Sequence, residues 1–398
     1  MHAQATMIDA RQQDAPSDAI RREHGVSGSS VRYREFASGY SRPVMASCVP
    51  APMTPRVLFV GNFLSSSRAS LTVGEALAGR LASAGWTVLA TSRRRNRLAR
   101  LADMVATVWQ RRADFDVAVV DVYSGAAFVW AEAVTAALRT VRRPYVLTLH
   151  GGNLPAFAAT RPNRVRRLLR GARAVTTPSM YLRERMRHLR EDLVLVPNAI
   201  DLEAYRFRER TKAAPRLVWL RAFHRVYNPV LAIRTVACLR EGVPGVHLTM
   251  VGSDSGDGAH AAAREAIAGA RLGAHVELRA GVPKAAVPSV LDAADIFLNT
   301  STIDNTPVSV MEAMACGLCV VSTSVGGIPF LVDDARDGLL VPSDDAKAMA
   351  AAVERILRDP ALASSLSRCA RAKAEAFDWS AVLPRWESLL EDVAAGGA

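Results

Sequence analysis

From residue 56 to the carboxyl terminus the chain alternates short apolar runs with longer amphipathic segments, and this alternation limits its possible folds more than any other feature. RVLFV (56–60), TVLAT (87–91), VAVVDV (117–122), YVLTL (145–149), RAVTT (173–177) and LVLV (193–196) read as buried strands. Such runs suit a parallel sheet, whose strands are covered by helices on both faces. A second series repeats the pattern: RLVWL (216–220), VHLTMV (246–251), HVEL (275–278), DIFLN (295–299) and CVVST (319–323). The expectation is an α/β chain with two Rossmann-like, doubly wound parallel-sheet domains, each binding ligands beyond the carboxyl ends of its strands. Gly61 and Asn62 follow the first strand, before Ser65-Ser66-Ser67-Arg68 and a helix over about 71–84, and are candidates for ligand contact.

The 398 residues, half of them hydrophobic, suffice for two such cores. Residues 1–54 lack periodicity and are rich in Ala, Ser, Gln, Asp and Arg, the composition of a disordered or loosely attached extension. No apolar run approaches the ~18–20 residues of a membrane span, and the first thirty residues hold no hydrophobic signal core. The chain therefore reads as neither secreted nor integral. Its cysteines, Cys48, Cys238, Cys316, Cys319 and Cys369, are odd in number and scattered, which points to a reducing compartment, the cytoplasm. Cys316 and Cys319 form a C-x-x-C without a second pair or a histidine partner, and a helix end explains them better than metal or redox work. No G-x-G-x-x-G follows the first strand, so no nicotinamide cofactor is expected.

The net charge of +12 is carried unevenly. From Arg161 to Arg190 there are ten arginines, with Glu184 the one acid before Glu191. Three readings stay open: a solvated face, contact with an anionic membrane surface or phosphate-bearing lipid, and nucleic acid. Nucleic acid ranks last, since no recognition motif or aromatic interleaving accompanies the charge.

The stretch STIDNTPVSVMEAMACGLCVV (301–321) carries the most chemistry. Pro307 suits the start of a helix, since its φ is preset and it lacks an N–H the first turn would leave unpaired; Gly317 suits its end. Glu312 then lies inside the helix and Asp304 in the loop before it, where free N–H groups collect. Two carboxylates so placed are positioned to grip the hydroxyls of two neighbouring rings, as in a sugar nucleotide.

Asp304, Asn305, Pro307, Glu312-Ala313-Met314-Ala315, Gly317 and Val320-Val321 resemble the acid-x7-Glu signature of the retaining glycosyltransferases of family four, which have the GT-B fold. The first acid is Asp304 rather than glutamate, and Cys319 stands where proline is usual. Val196-Pro197-Asn198-Ala199-Ile200-Asp201 resembles the family's hinge, and residues 377–395 its last helix, which packs back on the first domain. The implied layout is an acceptor domain over 55–205, a donor-nucleotide domain over 206–376 and a closing helix over 377–398. The resemblance further implies Arg221 at the donor diphosphate, Gly252 and Val282 at the nucleotide, Asn305, Thr306, Pro307 and Val308 at the sugar or phosphate, Glu312 at the ribose, Asp304 at the transferring sugar and His150 at the reaction centre. Position 226, where the family has lysine, is valine, and Arg225 is the candidate second cation. SVGGIP (324–329) matches the family's glycine loop, whose backbone can approach a ligand closely.

The resulting expectation is a retaining, metal-independent transferase using a nucleoside-diphosphate sugar, with no cofactor, an acceptor that is lipid-linked or polysaccharide, and peripheral contact at the inner membrane face. A GT-B epimerase and a non-catalytic sugar-nucleotide or polyanion binder are the alternatives. Asp114-Phe115-Asp116, an acid-x-acid triplet of the metal-binding kind, is expected to be the start of a strand rather than a metal site.

Overall fold

The computed structural model describes residues 54–63 and 72–396. All but the last residue of the expected extension (1–54), the stretch Ser65-Ser66-Ser67-Arg68, and residues 397–398 lie outside the described residues.

Among these residues two six-stranded sheets form. The first comprises β1 (Val57–Val60), β2 (Val88–Thr91), β3 (Val117–Val122), β4 (Tyr145–Leu149), β5 (Ala174–Thr177) and β6 (Leu193–Leu195), in the order β2-β1-β3-β4-β5-β6. The second comprises β7 (Arg216–Leu220), β8 (His247–Val251), β9 (Val276–Arg279), β10 (Ile296–Asn299), β11 (Cys319–Thr323) and β12 (Leu339–Val341), in the order β12-β11-β10-β7-β8-β9. Every pairing is parallel. The sequence pattern does not single out β12, because three residues at a sheet edge carry too little periodicity to register.

Each sheet is apolar on both faces. In β3, Val117 and Val119 enter one core while Ala118, Val120 and Val122 enter the other. In β10, Phe297 faces one core and Ile296 and Leu298 the opposite one. Burying each such side chain contributes roughly 1.5–3 kcal/mol before entropy is counted. The strand orders reverse between β1 and β3 and between β7 and β10, which opens a crevice at each of those carboxyl ends. Asp121 lies beside one reversal and Arg221 beside the other.

The helix Trp379–Ala394 sends Trp379, Val382, Trp386, Leu390 and Val393 into the core that holds Val57, Phe59 and Val117 of the first sheet. Trp86 Nε1 donates to Glu387 at 3.1 Å. The chain crosses over where Ile200 N donates to the Phe377 carbonyl and Trp379 N to that of Ile200.

The charged stretch RFRERTKAAP (206–215) is stitched to the second domain. The fully buried Arg210 guanidinium donates to the carbonyls of Ala294, Arg208 and Cys316, and burial brings its pKa down to about 10. Asp295 draws in Arg208 and Arg216 as well, at 3.0 and 2.9 Å.

Candidate functional site

A cavity of about 730 Å³ lies between the two domains. From the second domain it is lined by Arg221, Gly252, Val282, Lys284, Val308, Ser309 and Glu312; from the first, by Thr72, Val73 and Arg80, among others. Gly252 is dictated by close approach, since a Cβ there would overlap the Arg221 carbonyl oxygen.

The helix behind the site runs Val308–Ala315, one residue later than expected: Pro307 is its N-cap, with φ −69° and ψ 118°. The proline's fixed φ is satisfied, but its ψ is extended. Gly317, at φ +73°, ends the helix in the left-handed region.

Glu312 is buried within that helix. Its Oε1 accepts a 2.9 Å bond from the Tyr205 hydroxyl and is paired with the Lys284 ammonium. Burial holds the Lys284 pKa below the usual lysine range and that of Tyr205 above the usual tyrosine range. Neither residue stands out in the sequence. The available signals were slight: Lys284 directly follows Gly281-Val282-Pro283, and it is one of four lysines in the chain.

Arg221 leaves β7 with its guanidinium bound to the Asp304 carboxylate and set 4.1 Å from the centre of the Tyr227 ring. Asp304 also accepts from the Ser301 hydroxyl at 3.0 Å and from the Asn305 N–H at 2.9 Å. That N–H is therefore taken by the protein itself. The side chains of Asn305 and Thr306 face the first domain, binding Ser179 and the Pro178 carbonyl, while Asn198 donates to the Thr306 carbonyl at 3.0 Å. Asn305, Thr306 and Pro307 lie off the cavity lining, which Val308 and Ser309 join. Gly326 and Gly327 pack on the backbone of Asp304 and Asn305, so their lack of side chains admits protein backbone where a ligand had been expected.

Four other expected residues, Arg225, Gly61, Asn62 and His150, do not line this cavity. Arg225 is exposed; its N–H donates to Asp257 at 2.7 Å and its guanidinium lies against Gly258, off the cavity lining. The N–H groups of Arg225 and Ala259 hold the Asp257 carboxyl down at about 2. Gly61 and Asn62 border a space of about 10 Å³ beside Asp121 and Tyr123, and the Asn62 side chain is occupied by Arg100 at 2.9 Å. His150 lies in the first domain bonded to Asp121, and Gly152, two residues on, meets the Asp304 loop.

Asp116 of the acid-x-acid triplet binds Arg56 through both oxygens at 2.9–3.1 Å, which lowers its pKa. Cys316 and Cys319 are buried thiols, pushed up to about 11 and about 12. In the arginine-rich segment, Arg164 pairs with Glu132 at 2.7 Å and Arg190 donates to the carbonyls of Leu169, Ala172 and Arg173, whereas Arg161, Arg167, Arg170 and Arg173 are exposed. A second basic surface, missed in the sequence, is formed by the exposed Arg93, Arg94, Arg95 and Arg97 beside Leu98. The turn is held from beneath by Arg100, which donates to the carbonyls of Arg94 and Arg95.

Residues 73–204 match the family described as Glycosyltransferase Family 4, and residues 214–359 match Glycosyl transferases group 1. A D-inositol 3-phosphate glycosyltransferase of Saccharomonospora viridis is 31% identical over 201 residues, 46% of each chain. The chain thus spans about half the length of that relative. The putative colanic acid biosynthesis glycosyltransferase WcaL of Salmonella typhimurium is 36% identical over 126 residues, 30% of this chain and 31% of that one. Among solved structures, sucrose-phosphate synthase from Thermosynechococcus elongatus superposes with a TM-score of 0.71 at 20% identity, covering 86% of this chain and all of that one. Anabaena HepE, solved in complex with UDP and glucose, superposes with a TM-score of 0.68 at 19% identity, covering 85% and 100%. At these identities the structural likeness bears on the fold: two Rossmann-like domains of the GT-B type.

Proposed function

The chain belongs to the family 4 glycosyltransferases, and from that premise we propose that it moves a sugar from a nucleoside-diphosphate sugar to a lipid-linked or polysaccharide acceptor, retaining the anomeric configuration and needing no metal ion. The observation that carries the donor reading is the cavity in which Arg221, Lys284 and Glu312 converge beside Gly252 and Val282. A buried carboxylate suits ribose hydroxyls, two cations suit a diphosphate, and the glycine lets backbone come close. A relative that is a D-inositol 3-phosphate glycosyltransferase and a structural neighbour solved with UDP and glucose agree with such a donor.

In the proposed reaction the acceptor hydroxyl attacks from the face that the diphosphate leaves. The bond from the anomeric carbon to the diphosphate oxygen breaks as the new glycosidic bond forms, and the hydroxyl proton passes to the departing diphosphate. No side chain needs to become covalently attached. The protein contributes positioning and charge: Arg221 and Lys284 at the diphosphate, Glu312 at the ribose, Asp304 at the transferring ring. The exposed arginines between Arg161 and Arg190 form the proposed contact with an anionic membrane surface.

The test begins with a thermal-shift screen of nucleoside diphosphates and sugar nucleotides. A ligand at 100 times its dissociation constant stabilises by about 2.7 kcal/mol. The selected donor is then incubated with and without candidate acceptors, in the presence of a chelator, and the anomeric configuration of the product is read by NMR. Failure of every sugar nucleotide to bind would remove the donor reading, and an inverted product would remove retention.

A further inference from the structure

Asp121 is a lone carboxylate in a strand, VAVVDV, whose other five residues are alanine or valine. A charge in that setting is costly unless it is paired and hydrogen-bonded. Its Oδ1 lies 2.9 Å from Nε2 of His150, which follows the neighbouring strand β4, and each side chain is only 10% exposed. The other oxygen, Oδ2, fills space that Gly61 and Gly74 leave open: a Cβ on Gly61 would overlap it, and one on Gly74 would come within 3.3 Å. The imidazole is fixed a second time by Tyr123, whose ring stacks on it at 5.0 Å with the planes 19° apart. One bond in the ring plane and one ring on its face hold its orientation.

The pair stands beside the expected reaction centre. A Cβ on Gly152 would sit 2.8 Å from the Asp304 carbonyl, so the loop that begins at His150 abuts the loop expected to hold the transferring sugar. A carboxylate can only accept, so the 2.9 Å contact has His150 donating from Nε2, and in the Nε2–H tautomer Nδ1 is an acceptor.

We propose that Asp121 is a positioning residue that fixes His150 in its Nε2–H tautomer, so that Nδ1 accepts a hydrogen bond from a hydroxyl group at the reaction centre. Asp121 touches no substrate; it acts through His150. The spacing of Gly61 and Gly74 then has a chemical purpose, which is to admit the carboxylate that orients the histidine. This inference deepens the transferase reading and rests on it.

Two measurements test it. The first needs no substrate: ¹⁵N-histidine spectra of the full-length protein, with the His150 signals identified by their loss in His150→Gln. The wild type should show the Nε2–H tautomer, and Asp121→Asn, whose amide can donate, should shift His150 towards the Nδ1–H form. A wild-type His150 protonated on Nδ1 overturns the proposal even if Asp121→Asn fails to fold. The second is turnover with the donor identified by screening. Asp121→Asn and His150→Gln should each lower kcat about tenfold, the worth of one hydrogen bond, with nucleoside diphosphate affinity and donor KM within twofold of wild type. The double variant should lose no more than His150→Gln alone, because Asp121 has no independent role. Multiplying losses, or unchanged kcat, overturn the proposal. Absence of any turnover in the wild type would instead overturn the transferase reading, which the spectra do not depend on.

Discussion

The guanidinium of Arg221 is bound to the carboxylate of Asp304, so the cation expected at the diphosphate and the acid expected at the transferring sugar neutralise each other. The same relation recurs where Lys284 holds Glu312. Each cation proposed for the phosphates is thus matched to a carboxylate proposed for sugar hydroxyls. A donor carrying both groups satisfies all four residues, whereas inorganic phosphate must compete with the carboxylates.

Arg221→Ala should weaken nucleoside diphosphate binding by about 10- to 100-fold, since a charge-assisted hydrogen bond is worth about 1.5–3 kcal/mol. Arg225→Ala should change it little, because that side chain lies off the cavity. Calorimetry on both variants decides the matter, and equal losses would mean that Arg225 moves into the site when the ligand arrives.

Glu312→Gln should mainly weaken binding, because the ribose is unchanged during reaction. Asp304→Asn should leave nucleoside diphosphate affinity within a few-fold and lower turnover by about 10- to 100-fold, since its partner ring gains charge in the transition state. The opposite pattern would exchange the two roles.

Lys284→Met leaves Glu312 buried with Tyr205 as its remaining described partner. Removing one member of a fully buried pair costs about 3–5 kcal/mol; because the lysine side chain is 45% exposed, a smaller loss of about 1 kcal/mol is expected. In a Glu312→Gln background the same change should cost close to nothing. Urea unfolding of the four proteins in this cycle gives the coupling, and additive losses would show that the pair is not energetically linked.

The proposed membrane contact predicts vesicle binding that requires acidic lipid and weakens with salt. Arg166, Arg167 and Arg170 are the residues to replace by glutamine; Arg164 is left alone because it holds Glu132. A parallel variant of Arg93, Arg94, Arg95 and Arg97 locates the contact if the first retains binding. Indifference of the wild type to lipid charge would return both surfaces to simple solvation.

At pH 8 a thiol with a pKa near 11 is thiolate in only about one molecule per thousand. Cys316 and Cys319 should therefore resist iodoacetamide in the folded protein, while the exposed Cys238 reacts. Folding raises both pKa values, so the unfolded chain binds fewer protons above pH ~9, and stability should fall from there towards pH 11. Mass spectrometry of the labelled peptides checks the first expectation and alkaline unfolding the second.

The positions along the chain of every strand but β12, the placement of Gly252 and the helix bearing Glu312 follow from local rules that a sequence displays directly. Burial on both faces writes continuous apolar runs, a crowded turn demands glycine, and a proline followed ten residues later by a glycine brackets a helix. Partners brought together by long-range packing leave no such mark. Lys284 lies 28 residues from Glu312, Arg221 lies 83 from Asp304, and Asp121 lies 29 from His150. The sequence named Arg221, Asp304, Glu312 and His150 by itself, but which groups would face them was decided by the two sheets and the crossing of the chain between them. For the same reason it could not separate Arg164 and Arg190, tied to Glu132 and to backbone carbonyls, from the exposed arginines around them. Charge is written residue by residue, whereas solvation and pairing exist only once the surface has closed.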